Sequence, residues 1–232
     1  MLPVSEIKRV TRQAGLLYLT LSILAIISYF YLRPRFVITG DAAATARSIL
    51  ANEQLYRIGI LIDLVVQTLF ILVVLWLYRL FEGVDRNQAR LMAALVGVGI
   101  AAQFAGFALN AAPLVLLGGT DGLAAFSRPQ VEGLAYASLT LGSKQGELLT
   151  LLWGLWLFPF AALTMKSGFL PKFLGVLLIL SGVAYVVTCA VAVVFPARLE
   201  AVTGIAMPFY FGEFLVVLWL ALVGAKPRAA AA

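Results

Sequence analysis

Long apolar runs alternate along the chain with short polar breaks, and the runs have the lengths that a bilayer sets. Six can be drawn, at roughly residues 13–32, 56–79, 90–117, 145–165, 170–195 and 203–224. A helix needs about 20 predominantly apolar residues to cross a hydrocarbon core of about 30 Å. Breakers or charges close the later runs. Arg79 and Glu82-Gly83-Val84-Asp85-Arg86 follow the second, a glycine-rich stretch over 118–122 the third, and Lys166-Ser167-Gly168 the fourth. Pro196 follows the fifth and Lys226-Pro227-Arg228 the sixth, with an alanine tail beyond it that is expected to be disordered. The first run follows Lys8, Arg9 and Arg12, as in a signal peptide, but it is long enough to span. Arg33-Pro34-Arg35 comes after it instead of a small-residue cleavage site, so it reads as a retained helix. The pattern predicts an all-α protein, an integral membrane bundle of six transmembrane helices, with residues 1–232 forming one domain.

Two outer loops carry a helical period of their own. Asp41 can cap a short helix that places Ala42, Ala46, Ile49 and Leu50 on one face. Ser127-Arg128-Pro129-Gln130 is a capping box with a proline in the first turn, and Val131, Leu134, Ala135 and Leu139 then form a stripe. Both are expected as short amphipathic helices lying on the outer surface. The plainer alternative is a pair of connectors with an apolar underside.

Composition strengthens the membrane reading and removes several chemistries. The chain is 62% hydrophobic and 12% charged, against about 45–50% and about 25% in a soluble domain. It has no histidine and one cysteine, Cys189. Histidine-held zinc, copper or haem, the Glu-x-x-His di-iron pattern and a Ser–His–Asp triad all need an imidazole. No cofactor and no metal site are expected, and no internal disulfide is possible. The net charge of +6 reflects topology and contact with anionic lipid, not nucleic acid, because no basic tail with interleaved aromatics is present.

Orientation follows from the basic residues. Lys8, Arg9, Arg12, Arg79, Arg86, Arg90, Lys166, Lys172, Lys226 and Arg228 lie on one side, ten in all. Arg33, Arg35, Arg47, Arg57, Arg128 and Arg198 lie on the other, and Lys144 is the seventeenth. The positive-inside rule then puts both termini in the cytoplasm of a bacterial inner membrane.

Against this apolar background a few polar residues stand at membrane depth. Counting inward from the cytoplasmic anchors puts Lys144 and Glu147 at the outer end of the fourth run. Asp63 falls a turn or two below the outer surface in the second, with Gln67 a turn deeper and Tyr56 on the same face. Gly99, Gln103, Gly106 and Asn110 make a stripe in the third, and Glu213 lies near mid-bilayer in the sixth. An ionised Asp facing lipid costs about 2.5–3.5 kcal/mol or more. These residues are therefore expected to face inward and form a polar pocket in the outer half. Its charges would be Asp63, Lys144, Glu147 and Glu213, its amides Gln67, Gln103 and Asn110, and its rim Tyr56 and Arg57. The bland alternative is strong: Lys144 and Glu147 are three residues apart and can pair on a helix surface, and the rest can be interhelical glue.

Four stretches resemble a known family: GDAAATARSILANEQLYRIGILIDL (Gly40–Leu64), GELLTLLWGLWLFPFA (Gly146–Ala161), KSGFLPKFLGVLLILSGVAYV (Lys166–Val186) and GEFLVVLWL (Gly212–Leu220). Together they are similar to the bacterial membrane proteins grouped as domain of unknown function 4386, over roughly residues 10–224. The resemblance implies a multi-pass helical membrane protein and supplies no activity and no catalytic residues. Asp63, Glu147 and Glu213 fall within these blocks, and Lys144 just before one.

The function expected from the sequence is binding or translocation of a small or lipid-like ligand in an outward-facing polar pocket, with the amphipathic outer helices as partial lids. Membrane lipids and a small amphiphile are the expected partners. Two other classes compete: a structural or accessory subunit with polar glue, and a metal-independent lipid enzyme using paired carboxylates.

Overall fold

A computed structural model describes residues 3–119 and 121–225. The predicted stop at Lys226-Pro227-Arg228 and the alanine tail lie outside the described residues. The helices are α1 (Val4–Ile26), α2 (Arg33–Phe36), α3 (Ala42–Ala51), α4 (Glu53–Phe81), α5 (Arg86–Leu117), α6 (Arg128–Leu155), α7 (Leu157–Ser167), α8 (Lys172–Val194) and α9 (Leu199–Leu218). Wider π-helical turns follow α1 (Ile27–Leu32) and α9 (Trp219–Val223). No strand occurs among the described residues.

Six helical stretches are long and apolar enough to cross a membrane: Ser5–Phe36, Glu53–Phe81, Arg86–Leu117, Arg128–Ser167, Lys172–Val194 and Pro196–Val223. The chain is a multi-pass, all-α membrane protein. The expected first amphipathic helix forms as α3, whose Asp41 carboxylate accepts a bond from the Ala44 N–H at 2.8 Å. Gly40, at φ 80°, makes the turn before it. The second also forms, but it is not a separate element. It is the beginning of the fourth stretch, which runs for 40 residues from Arg128. That is about 60 Å of helix, twice a hydrocarbon core of about 30 Å. No proline interrupts Val131–Leu155, and the glycines at 133, 142, 146 and 154 cost only about 1 kcal/mol each. Pro129 sits in the first turn, where its missing N–H is harmless. The Gln130 side chain closes half of the capping box, accepting from the Ser127 N–H at 2.8 Å.

The long stretch is interrupted once, at Trp156, between α6 and α7. Pro159 has no N–H for the Leu155 carbonyl, and its ring crowds that turn. At the end of the first stretch, Pro34 follows a turn in which the Arg33 N–H reaches back five residues to the Ser28 carbonyl.

The chain forms two compact units. One contains the residues up to Ser22, Thr68–Ala101 and those from Glu147 onward; the other contains Ile23–Gln67 and Ala102–Gly146. In the first, glycines let backbones approach. A Cβ on Gly15 would fall on the backbone of Leu220 and Ala221, and one on Gly154 would lie 2.7 Å from the Gly182 carbonyl oxygen. Gly175 and Gly182, seven apart on α8, both face such contacts: Met165 and Ala161 for one, Gly154 for the other. Rings fill the centre, with Trp156 stacked on Phe160 at 5.4 Å and Phe81 edge-on to Phe160 at 5.8 Å.

In the second unit Phe36, Ile49, Tyr56 and Leu139 form the core, with Phe36 edge-on to Tyr56 at 5.0 Å. Ile49 and Ala46 of α3 are buried in it as the stripe predicts, while Leu50 stays exposed. The Gly40 N–H donates to the Tyr136 hydroxyl at 2.8 Å, which fastens the start of α3 to α6.

Candidate functional site

The sequence groups seven polar residues and two rim residues. Asp63, Gln67, Gln103, Asn110, Lys144, Tyr56 and Arg57 belong to the second unit, Glu147 and Glu213 to the first.

In the second unit Asp63 has the clearest setting. It accepts a hydrogen bond from Ser28 Oγ at 2.5 Å and pairs with the Arg33 guanidinium at 3.2 Å. The π-helical turn explains how both partners reach it. In an α-helix of about 3.6 residues per turn, positions five apart do not share a face. The Arg33 N–H to Ser28 carbonyl bond closes a five-residue turn and returns Arg33 to the side of Ser28. The Asp63 side chain is 15% exposed and that of Arg33 40%, so the pair is half-solvated, with the Tyr29 ring 5.8 Å from the guanidinium.

Tyr56 and Asn110 do meet: the Tyr56 hydroxyl donates to the Asn110 carbonyl oxygen at 2.6 Å. The small-residue stripe on α5 is a packing seam against α6. A Cβ on Gly106 would fall on the Gln145 side chain, and one on Gly142 would lie 2.6 Å from Asn110 Oδ1. Gln145, which the sequence does not single out, donates to the Ala102 carbonyl at 2.7 Å. Gln67 is half-buried, with its buried carbonyl oxygen lacking a partner among the described residues. Gln103 is half-buried, Lys144 is exposed, and Arg57 pairs with Glu53 on the surface.

The same unit contains a cavity of about 410 Å³, lined by Leu50, Leu116, Leu117, Gly119, Leu123, Ala124, Phe126, Arg128, Val131 and Glu132. Most of its lining side chains are aliphatic or aromatic. The Arg128–Glu132 pair, at 3.0 Å, gives it a charged wall. Both amphipathic segments contribute: Leu50 from α3, and Arg128, Val131 and Glu132 from the start of α6.

In the first unit Glu213 is bonded by two phenols. The hydroxyls of Tyr18 and Tyr185 both donate to its carboxylate. Tyr185 stacks on Tyr210 at 4.5 Å, and the Tyr210 hydroxyl bonds Thr188 Oγ1 at 2.6 Å. Glu147 is half-buried in the same unit, where its carbonyl accepts from Thr150 at 2.6 Å.

Sequence reasoning misses Ser28, Arg33 and Tyr18. Arg33 reads as a flanking topology charge, and its register depends on the π turn. Tyr18 reads as one more apolar position. No group of three or more acidic or cysteine residues that could hold a metal occurs among the described residues.

No curated protein and no solved structure matches the chain. A family model does, over residues 13–224, nearly the whole of it. That match agrees with the six spanning helices and with the four resembling blocks, and the chain belongs to the family described as Domain of unknown function (DUF4386).

Proposed function

We propose that this protein binds a small amphiphilic, lipid-like ligand in the cavity of its second unit. One observation carries the reading: both amphipathic segments line one open groove of about 410 Å³, whose side chains are aliphatic or aromatic apart from one ion pair. That volume falls within the usual range for ligand sites, about 300–1,000 Å³. An acyl or aryl body fits against Leu50, Leu116, Leu117 and Phe126. A polar head fits beside Arg128, which is 75% exposed although paired with Glu132. The bias of basic residues, ten against six, supports a bacterial cytoplasmic membrane with both termini inside and the cavity on the outer side.

The test is native mass spectrometry and thermal shift on the whole protein with lipid extracts and lysophospholipids. Retention of one amphiphile and a rise in melting temperature are expected, both reduced in Leu50→Arg, which puts a charge into the apolar wall. No stabilisation by any amphiphile would overturn the reading.

A second reading has its own support. Asp63 is satisfied by Ser28 and Arg33, and Glu213 by Tyr18 and Tyr185, each within its own unit. Such bonds are the interhelical glue of an accessory subunit, each worth about 0.6 kcal/mol on average. That reading gains if amphiphiles fail while Asp63 variants unfold more easily.

A further inference from the structure

Glu213 lies seventeen residues after the start of its span at Pro196 and ten before the end at Val223. At about 1.5 Å per residue it is about 15 Å from the nearer end, deep in the hydrocarbon region. Its neighbours along α9 change from one turn to the next. Val216 and Val217, the turn after it, are sealed at 0% and 1% exposure, while Phe209, the turn before it, is 42% exposed. Glu213 therefore lies where α9 passes from exposed to sealed positions, and the residue is half-buried. At this point α9 is pressed against α8: a Cβ on Gly212 would lie 2.8 Å from Ser181 Oγ, and that hydroxyl donates to the Phe209 carbonyl at 2.7 Å.

The groups around Glu213 are phenols and rings. Two hydroxyls, from Tyr18 and Tyr185, donate to a group with about four acceptor positions. The Tyr185 and Tyr210 rings are stacked beside it with planes 23° apart. The ion pairs found in this unit, Glu6 with Arg79 and Arg9 and Asp85 with Lys166, belong to other carboxylates. A carboxylate at this depth is costly without a positive charge, and aromatic faces attract cations in a dry setting.

We propose that Glu213 with the Tyr185–Tyr210 ring pair forms a binding site for a lipophilic organic cation, reached laterally past Phe209. The carboxylate is the counter-charge, the rings supply cation–π contact, and the Tyr18 and Tyr185 hydroxyls hold the carboxylate in place. The depth selects a cation carried on an apolar body over a lipid head group, which stays at the interface.

The experiment is equilibrium binding of tetraphenylphosphonium to the purified full chain in a neutral detergent, with tetraphenylborate as an anion of the same shape. Saturable binding of one phosphonium per chain and none of borate are expected. Glu213→Gln should weaken phosphonium binding by about tenfold or more, and Tyr210→Leu by about threefold or more. Should Glu213→Gln fail to fold, heat protection of the parent by phosphonium but not by borate supports the proposal, and equal or absent protection overturns it. Equal affinity of parent and Glu213→Gln, or equal binding of the two ions, also overturns it.

Discussion

Asp63 shows what a carboxylate in an apolar helix requires. It has one hydroxyl donor and one guanidinium, and both depend on the turn that brings Ser28 and Arg33 to one side. Removing the charge with Asp63→Asn leaves Arg33 without its counter-ion and weakens the bond from Ser28. Because Arg33 is 40% exposed, water takes up part of the loss, and a destabilisation of about 1–2 kcal/mol is expected. Denaturant unfolding in detergent measures it, and the Asp63→Asn/Arg33→Gln double-mutant cycle isolates the pair. A second carboxylate, Asp85, lies outside the spans. The Lys166 ammonium bonds it at 2.7 Å and the Gln88 N–H at 3.1 Å, which together hold its pKa below the usual aspartate value. A depressed folded pKa gives stability that is complete above the unfolded pKa of about 3.9 and is lost as pH falls through the lower folded value. Acid unfolding curves should therefore steepen in that window for the parent and flatten there for Asp85→Asn. Identical curves would remove Asp85 from the acid response.

At the scale of helices, close backbone contact decides more than polar contact does. Gly15 has no room for a methyl group against Leu220 and Ala221. Gly15→Ala should cost about 1–3 kcal/mol, as overpacking does. Gly97, on an exposed part of α5 with nothing within 4 Å of an added Cβ, is the contrast. Gly97→Ala should be neutral or stabilising by up to about 1 kcal/mol. Thermal unfolding of the two variants side by side checks the difference. The six spans were legible because apolar run length and flanking charge fix them, and so was α3 because Asp41 and the Ala46–Ile49 face agree. The union of the second amphipathic segment with the fourth span was not legible. Lys144 and Glu147 look like the head of a new helix, whereas nothing in the chain from Val131 to Leu155 stops the old one. The pairing of Asp63 with Arg33 was hidden for a related reason: counting at the α-helical period puts Arg33 on another face from Ser28, and only the π turn corrects it. Glu213 stood out as a lone carboxylate, but Tyr18, a residue of another helix about 200 positions away, gives no local signal.

For the whole molecule, the proposals require a direction in the membrane and an accessible cavity. With Cys189 replaced by Ala, a single cysteine placed at Ser127 should react with an impermeant maleimide from outside intact cells, and one at Ser167 only after lysis. The reverse pattern would invert the assignment of both termini to the cytoplasm. The most direct test of the ligand reading is photo-crosslinking of the intact protein with a lysophospholipid that carries a diazirine on its acyl chain. Saturable labelling should concentrate on the peptides containing Leu116, Leu117 and Phe126 and be displaced by excess unlabelled lipid. Labelling spread over all lipid-facing helices, undiminished by competitor, would contradict it.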